Sequence, residues 1–121
     1  MRDGVESNQR LEFLGDAVVD LIVSKYLTHR YPEKGEGFMT IARSLMVNNG
    51  ELAQAAKRAG LDKKLLLGKG AEKDGSRFQP KVLADCFEAY VAAIYLRDGE
   101  VCAERFVMAH VDRSLPEQVN V

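Results

Sequence analysis

Between residues 8 and 31 apolar side chains return at helical spacing, with Leu11, Leu14, Val18, Leu21 or Ile22 and then Lys25 marking successive turns. Ser7 or Asn8 can cap the start, and Pro32 ends the run. Phe13, Ala17, Val19, Val23 and Tyr26 fill most of the remaining circumference, so this helix is expected to be apolar almost all round and central. A turn-rich connection, Tyr31-Pro-Glu-Lys-Gly-Glu-Gly37, leads to a second helix marked by Phe38, Ile41, Ala42, Leu45 and Met46. Glu51 to Ala59 makes a short Ala-rich third helix, stopped by Gly60 where a left-handed residue is preferred. Leu61 to Leu67, with four leucines, is ambiguous and fits no single period. Gly68 to Gly70 and Gly75 to Arg77 bracket a polar, basic loop. Pro80 suits the first turn of another core helix, in which Val82, Leu83, Phe87, Ala89, Tyr90, Ala93, Ile94 and Leu96 run on to Gly99. The pattern closes with a helix from about Glu100 to Ser114, with Val101, Phe106, Val107 and Val111 inward and Pro116 beyond it. No strand alternation, internal repeat or low-complexity segment interrupts this, and the expectation is an all-α fold in one domain over residues 1–121.

Size agrees with that expectation, since 121 residues at 46% hydrophobic content supply one core of ordinary size. The 17 basic and 18 acidic side chains give a net charge of -1, so no global field draws this chain to nucleic acid or membrane, and a polyanion would need a local patch. Cys86 and Cys102 stand 16 residues apart with no CxxC pair or clustered His, and read as reduced core thiols of a cytosolic protein. No run of 18 apolar residues and no signal-like leader is seen, so a soluble, cytoplasmic protein with no membrane partner is expected.

Candidate chemistry lies in four acids: Glu12 and Asp16, four residues apart, and Asp85 and Glu88, three apart. On helices each pair shares a face. Either motif alone is commonly an ordinary solvated surface, but these four sit in the two least polar helices, where unpaired ionised carboxylates are costly. A bound hard cation such as Mg²⁺ or Mn²⁺ would relieve that cost through oxygen ligands. Such a site can activate water and neutralise charge on a phosphodiester. With no Cys, Ser or His placed as an activated nucleophile, water is the default attacker. Asp20 continues the first acidic face but, with Ser24 and Lys25 nearby, reads as solvated.

The run Asn8-Gln-Arg-Leu-Glu-Phe-Leu-Gly-Asp-Ala-Val18 resembles the signature of ribonuclease III endonuclease domains, usually N-E-R-L-E-F-L-G-D-A-V, at ten of eleven positions. Further matches follow in order: Tyr31 to Gly37, Arg43-Ser-Leu-Met-Val-Asn48, Leu67-Gly-Lys-Gly70, and Leu83-Ala-Asp-Cys-Phe-Glu-Ala89 leading to Ala93-Ile-Tyr-Leu96. The resemblance covers about residues 7 to 110 and implies the helical fold of that endonuclease domain. It implies Glu12, Asp16, Asp85 and Glu88 as catalytic and metal-binding residues, with one or two Mg²⁺ ions per site and Mn²⁺ able to substitute. It implies hydrolysis of double-stranded RNA to 5′-phosphate and 3′-hydroxyl ends with a short 3′ overhang. The implied assembly is a homodimer with an active site at each end of a shared valley, Phe13 inserting into the partner and Leu14 beside it at the interface.

Two departures from the family pattern stand out. Gln9 replaces a usual Glu to which the resemblance assigns contacts with RNA or metal-bound water, so weakened or retuned activity is expected. Glu36 matches another acid near the family's site, though a solvated loop Glu is an equal reading of the residue itself. The second departure is length: only seven residues precede the signature, where the family carries a further helical segment, and no double-stranded-RNA-binding domain fits after Val121. An excised or minimal form, or a core completed by dimerisation, is the expectation.

Duplex RNA is held mainly through phosphates and 2′-hydroxyls. Between residues 63 and 81, Lys63, Lys64, Lys69, Lys73, Arg77 and Lys81 outnumber Asp62, Glu72 and Asp74, giving a local positive excess. Lys69, Lys73 and Arg77, with Arg43 and Ser44 of the second helix, are the candidate RNA contacts, although charged loop residues are more often simply solvated. Two other functions remain: a non-catalytic RNA-binding or ribosome-associated relative, and an all-α Mg²⁺-dependent nucleotide pyrophosphohydrolase. Intact acids weigh against the first and the long signature against the second.

Overall fold

The computed structural model describes residues 4–65, 79–117 and 119, and among these the regular structure is entirely helical. Six helices follow one another: α1 (Gly4–Arg30), α2 (Glu36–Met46), α3 (Asn49–Arg58), α4 (Leu61–Leu65), α5 (Pro80–Asp98) and α6 (Glu100–His110). The basic loop expected at residues 68–77 lies outside the described residues.

Helix α5 is the axis of the fold, with α1 and α3 packed along it and α6 folded back beside it. Its inward residues Leu83, Phe87 and Val91 are fully buried, and they meet Val19, Ile22 and Val23 of α1 in one continuous core. Burying a side chain such as Phe87 contributes roughly 2 to 3 kcal/mol. The Ala-rich sequence of α3 has a packing reason: Ala53, Ala55 and Ala56 are buried, and small side chains let that helix lie close to its neighbours.

Local signals set most boundaries. Asn48 caps α3 by accepting the Glu51 amide at 2.9 Å. Gly60, at φ 78°, takes the left-handed conformation that ends α3, and Gly99, at φ 94°, breaks α5 from α6. Two expectations need correcting. Helix α1 starts before Asn8, whose side chain donates to Glu12 at 2.8 Å within the helix instead of capping it. Helix α6 stops at His110, short of Ser114, and Val101 points outward at 63% exposure because the apolar contacts of this helix are made by Ala103 and Val107.

A third correction concerns α1 itself. Its buried side is a single face of Val18, Val19, Ile22, Val23 and Leu27; Phe13, Ala17 and Leu21, which repeat every four residues, are exposed. The helix is therefore not surrounded by core. Ile41 and Leu45 of α2 are likewise about two-fifths open, at 39% and 40%. No helix among the described residues is long and apolar enough to cross a membrane.

Candidate active site

Helical periodicity places Glu12 and Asp16 one turn apart on α1, and Asp85 and Glu88 one turn apart on α5. What joins the pairs is Gly15, buried between them: a Cβ at that position would lie 1.8 Å from the backbone oxygen of Glu88. The α1 and α5 backbones touch there because one of them carries no side chain. As a result the acidic sides of the two helices face each other, near enough for the charge of Asp85 to act on Glu12 and that of Asp16 on Glu88.

Like charges at such a meeting point favour protons. Burial first, then the charge and hydrogen bond of Asp16, and then Asp85 push the Glu88 carboxyl up to about 8, against the pull of Lys81. Burial and Asp85 also raise Glu12, partly offset by Lys81 and by the bond from Asn8. Lys81 is the cation set among these acids, donating to both carboxylate oxygens of Asp85 at 3.0 and 2.9 Å.

Although the four acids sit in apolar helices, they are not enclosed by core. No charged side chain among the described residues is fully buried; Glu12, Asp85 and Glu88 are half-buried and Asp16 is exposed. The site is thus a shallow acidic cleft open to water and to a large ligand. No three His, Cys, Asp or Glu side chains among the described residues converge into a ready-made metal cage. The donor set still fits a hard divalent cation, because Mg²⁺ keeps most of its waters and takes one or two carboxylates together with substrate phosphate. Four carboxylates against one lysine leave the negative centre that such an ion would neutralise.

The remaining candidates are distributed around this cleft. Gln9 is exposed on α1, three residues before Glu12 and seven before Asp16, which puts it on the same side of the helix. Glu36 does not join the four acids; it lines a separate polar cavity between α1 and α2 with Ser24, Thr28, Thr40 and Arg43. Arg43 is half-buried and donates to Ser24 Oγ at 2.9 Å, and the hydroxyl of Ser44 donates to the Ile41 carbonyl at 2.7 Å. Phe13 is 82% exposed and Leu14 half-buried. Lys69, Lys73 and Arg77 lie outside the described residues.

Three features escaped the sequence reading. In the sequence Lys81 reads only as part of a basic excess, yet its place four residues before Asp85 is the spacing of a helical ion pair. Asn8 stands four residues before Glu12 in the same way. Asp20, read as solvated, is half-buried; burial and Asp16 raise its carboxyl and Arg43 lowers it. That last feature depends on how α2 crosses α1, and no local spacing encodes it.

A family model described as Ribonuclease-III-like matches residues 1–115. Ribonuclease 3 of Listeria welshimeri is 47% identical over 98 residues, covering 81% of this chain and 43% of the relative. Ribonuclease 3 of Staphylococcus aureus strain JH9 is 41% identical over 114 residues, covering 91% of this chain and 47% of the relative. The chain therefore spans less than half the length of these curated relatives. A crystal structure of the nuclease domain of ribonuclease III from Campylobacter jejuni superposes with a TM-score of 0.79 at 34% identity, covering 91% of this chain and 75% of that one. A second structure of that domain, described for flexibility in a region involved in dimer formation, gives 0.78 at 36% identity, covering 84% and 71%.

Proposed function

We propose that this chain, which belongs to the ribonuclease III family, is a Mg²⁺-dependent endonuclease unit that hydrolyses double-stranded RNA to 5′-phosphate and 3′-hydroxyl ends with a short 3′ overhang. It acts as a homodimer in the cytoplasm. The observation that carries this reading is the confrontation of Glu12 and Asp16 with Asp85 and Glu88 across the Gly15 contact.

Each acid has a part. Glu12, Asp16, Asp85 and Glu88 would hold a Mg²⁺ ion through their oxygens, and the chemistry such an ion would supply there is a lowered pKa for water and neutralisation of charge on the phosphate. Glu88, its carboxyl pushed up to about 8 without metal, would release its proton on becoming a ligand. Asn8 orients Glu12 through its 2.8 Å hydrogen bond, and Lys81 fixes Asp85. Gln9 assists from the same helix face with hydrogen bonds and no charge. Cys86 lies near the acids, but burial pushes its thiol up, away from the thiolate a nucleophile needs. Water remains the attacker.

The partner copy is assigned to the open stripe of α1, where Phe13 at 82% and Leu21 at 49% exposure flank Ala17, with Leu14 at its edge. Pairing two copies across these stripes would place two clefts at opposite ends of one valley, each facing one strand. Arg43, Ser44, Lys69, Lys73 and Arg77 are proposed as RNA contacts, with Glu36 assisting. Binding should weaken steeply with salt, as phosphate contacts do.

The test is incubation of the purified protein with labelled duplex RNA, with and without Mg²⁺ and at two salt concentrations, beside Asp16→Asn and Glu88→Gln. Both variants should fold and dimerise yet fail to cleave. Normal cleavage by either removes the assignment, and turnover of nucleotides without RNA cleavage would favour a pyrophosphohydrolase.

A further inference from the structure

The cavity between α1 and α2, of about 210 Å³, gathers polar chemistry away from the four acids. Leu27 and Met39 contribute its apolar lining; the polar groups are the hydroxyls of Ser24, Thr28 and Thr40, the guanidinium of Arg43 and the carboxylate of Glu36. Arg43 Nη1 donates to Ser24 Oγ at 2.9 Å, and Thr28 Oγ1 donates to the Ser24 carbonyl at 2.8 Å. A guanidinium carries five N–H donors, so its other nitrogens retain donors for an anion. Having accepted from Arg43, the Ser24 hydroxyl can pass its own hydrogen to the same anion. The cavity also holds the acceptor oxygens of Glu36 and a hydroxyl able to donate or accept, Thr40.

That combination matches one unit of a ribonucleotide strand, in which a phosphate only accepts and a neighbouring 2′-hydroxyl both donates and accepts. A strand of deoxyribonucleotides would offer the Glu36 carboxylate no 2′-hydroxyl donor. Position supports the match. Ser24 lies eight residues beyond Asp16 on one continuous helix, a displacement of about 12 Å along its axis, so a strand laid along α1 from the acidic cleft reaches this cavity.

We propose that the α1–α2 cavity is a ribose-reading subsite: Arg43 and Ser24 hold a non-scissile phosphate, while Glu36 and Thr40 engage a nearby 2′-hydroxyl and discriminate RNA from DNA. The proposal rests on the ribonuclease reading and adds a contact that defines which sugar the strand must carry. The cavity is too small for a base pair, and its polar groups read backbone alone, so no sequence preference follows from it.

The experiment measures steady-state cleavage of labelled duplex RNAs in which a single 2′-deoxy substitution is walked along the strand away from the scissile phosphate. In the unaltered protein one displaced position should raise KM about tenfold with little change in kcat, the effect of losing one hydrogen bond to a charged group. Glu36→Gln or Thr40→Val should raise KM on all-RNA duplex and remove most of the sensitivity at that position, because the two losses are of one interaction. Arg43→Gln should raise KM and reduce the slope of affinity against salt by about one charge. Thr40→Val keeps the test open should loss of the Arg43–Ser24 tie disturb folding. If the protein cleaves duplex RNA but both Glu36→Gln and Thr40→Val keep the original KM and 2′-deoxy profile, the subsite is overturned and the nuclease reading stands. If the unaltered protein cleaves no duplex RNA, both fall.

Discussion

The backbone oxygen of Glu88 lies where a side chain on Gly15 would have to go, 1.8 Å from an ideal Cβ. Helix α1 and helix α5 therefore meet through backbone at the level of the acidic cleft, and the distance between the acid pairs is fixed by the absence of one carbon.

Gly15→Ala tests this directly. Alanine favours a helix over glycine by roughly 1 kcal/mol, but the new methyl would meet backbone atoms that cannot rotate away. Overpacking of this kind outweighs the propensity gain, and a net loss of about 2 kcal/mol is expected. Cleavage should fall further than stability alone explains, because the helices must part where Asp16 and Glu88 meet. Urea unfolding and cleavage rates measured below the transition check both; unchanged stability would mean that the helices are not in contact at Gly15.

Glu88 gives the pH dependence a definite sign. Its carboxyl is raised from 4.5 to about 8 in the folded chain without metal, so the folded state holds a proton that the unfolded chain releases near its ordinary value. This contribution favours folding below about pH 4.5 and is progressively lost as pH rises through 8. Metal-free protein should accordingly melt at lower temperature at pH 9 than at pH 6, Glu88→Gln should flatten that trend, and Mg²⁺ should bind more tightly as pH rises. Calorimetry of Mg²⁺ binding in buffers of different ionisation enthalpy would detect the released proton. Equal affinity at pH 6 and 9 would contradict the arrangement.

How much of this was legible beforehand varies by residue. The helices at Pro80–Asp98 and Asn49–Arg58 were readable because proline, glycine and an Asn cap are local signals that need no tertiary partner. The acid pairs were readable as faces, since helical spacing alone aligns Glu12 with Asp16 and Asp85 with Glu88. Their meeting was carried by the family likeness; the physical cause, the Gly15 contact, is a tertiary fact. Exposure was the least readable quantity. Phe13, Leu21 and Val101 look like core residues in the sequence because periodicity reports which side chains share a face, while which face is covered depends on elements packed from elsewhere. The Arg43–Ser24 bond and the half-burial of Asp20 failed to show for the same reason.

Lys81 occupies the acidic cleft as a cation supplied by the protein, bound to Asp85 at 2.9 Å with its own side chain 69% exposed. A metal ion approaching Asp85 must compete with it. Lys81→Met keeps much of the stem and removes the charge, so at pH 9, where protons compete least for Glu88, the Mg²⁺ concentration for half-maximal cleavage should fall by about threefold, a modest change of the size expected for a solvent-exposed pair. A rise instead would show that Lys81 serves the site by holding Asp85 in place more than it opposes the metal.

Phe13 separates assembly from folding. At 82% exposure in the single chain, it contributes little to the chain's own core, and substitutions at such positions change stability by about 0.5 kcal/mol or less. Covered by a second copy, the same ring would contribute roughly 2 kcal/mol. A two-fold interface contains it twice. Phe13→Ala should then raise the dimer dissociation constant by about a thousandfold, on the conversion of 1.4 kcal/mol per factor of ten, while leaving the helical signal and the unfolding slope of the monomer intact. Sedimentation equilibrium across a concentration series reads the first effect and circular dichroism the second. Cleavage of duplex RNA by the variant should shift from paired cuts toward single-strand nicks at concentrations where the unaltered protein is dimeric, because an isolated cleft addresses one strand. A variant that remains dimeric at every concentration would move the interface away from the Phe13, Ala17 and Leu21 stripe and leave that apolar row without its partner.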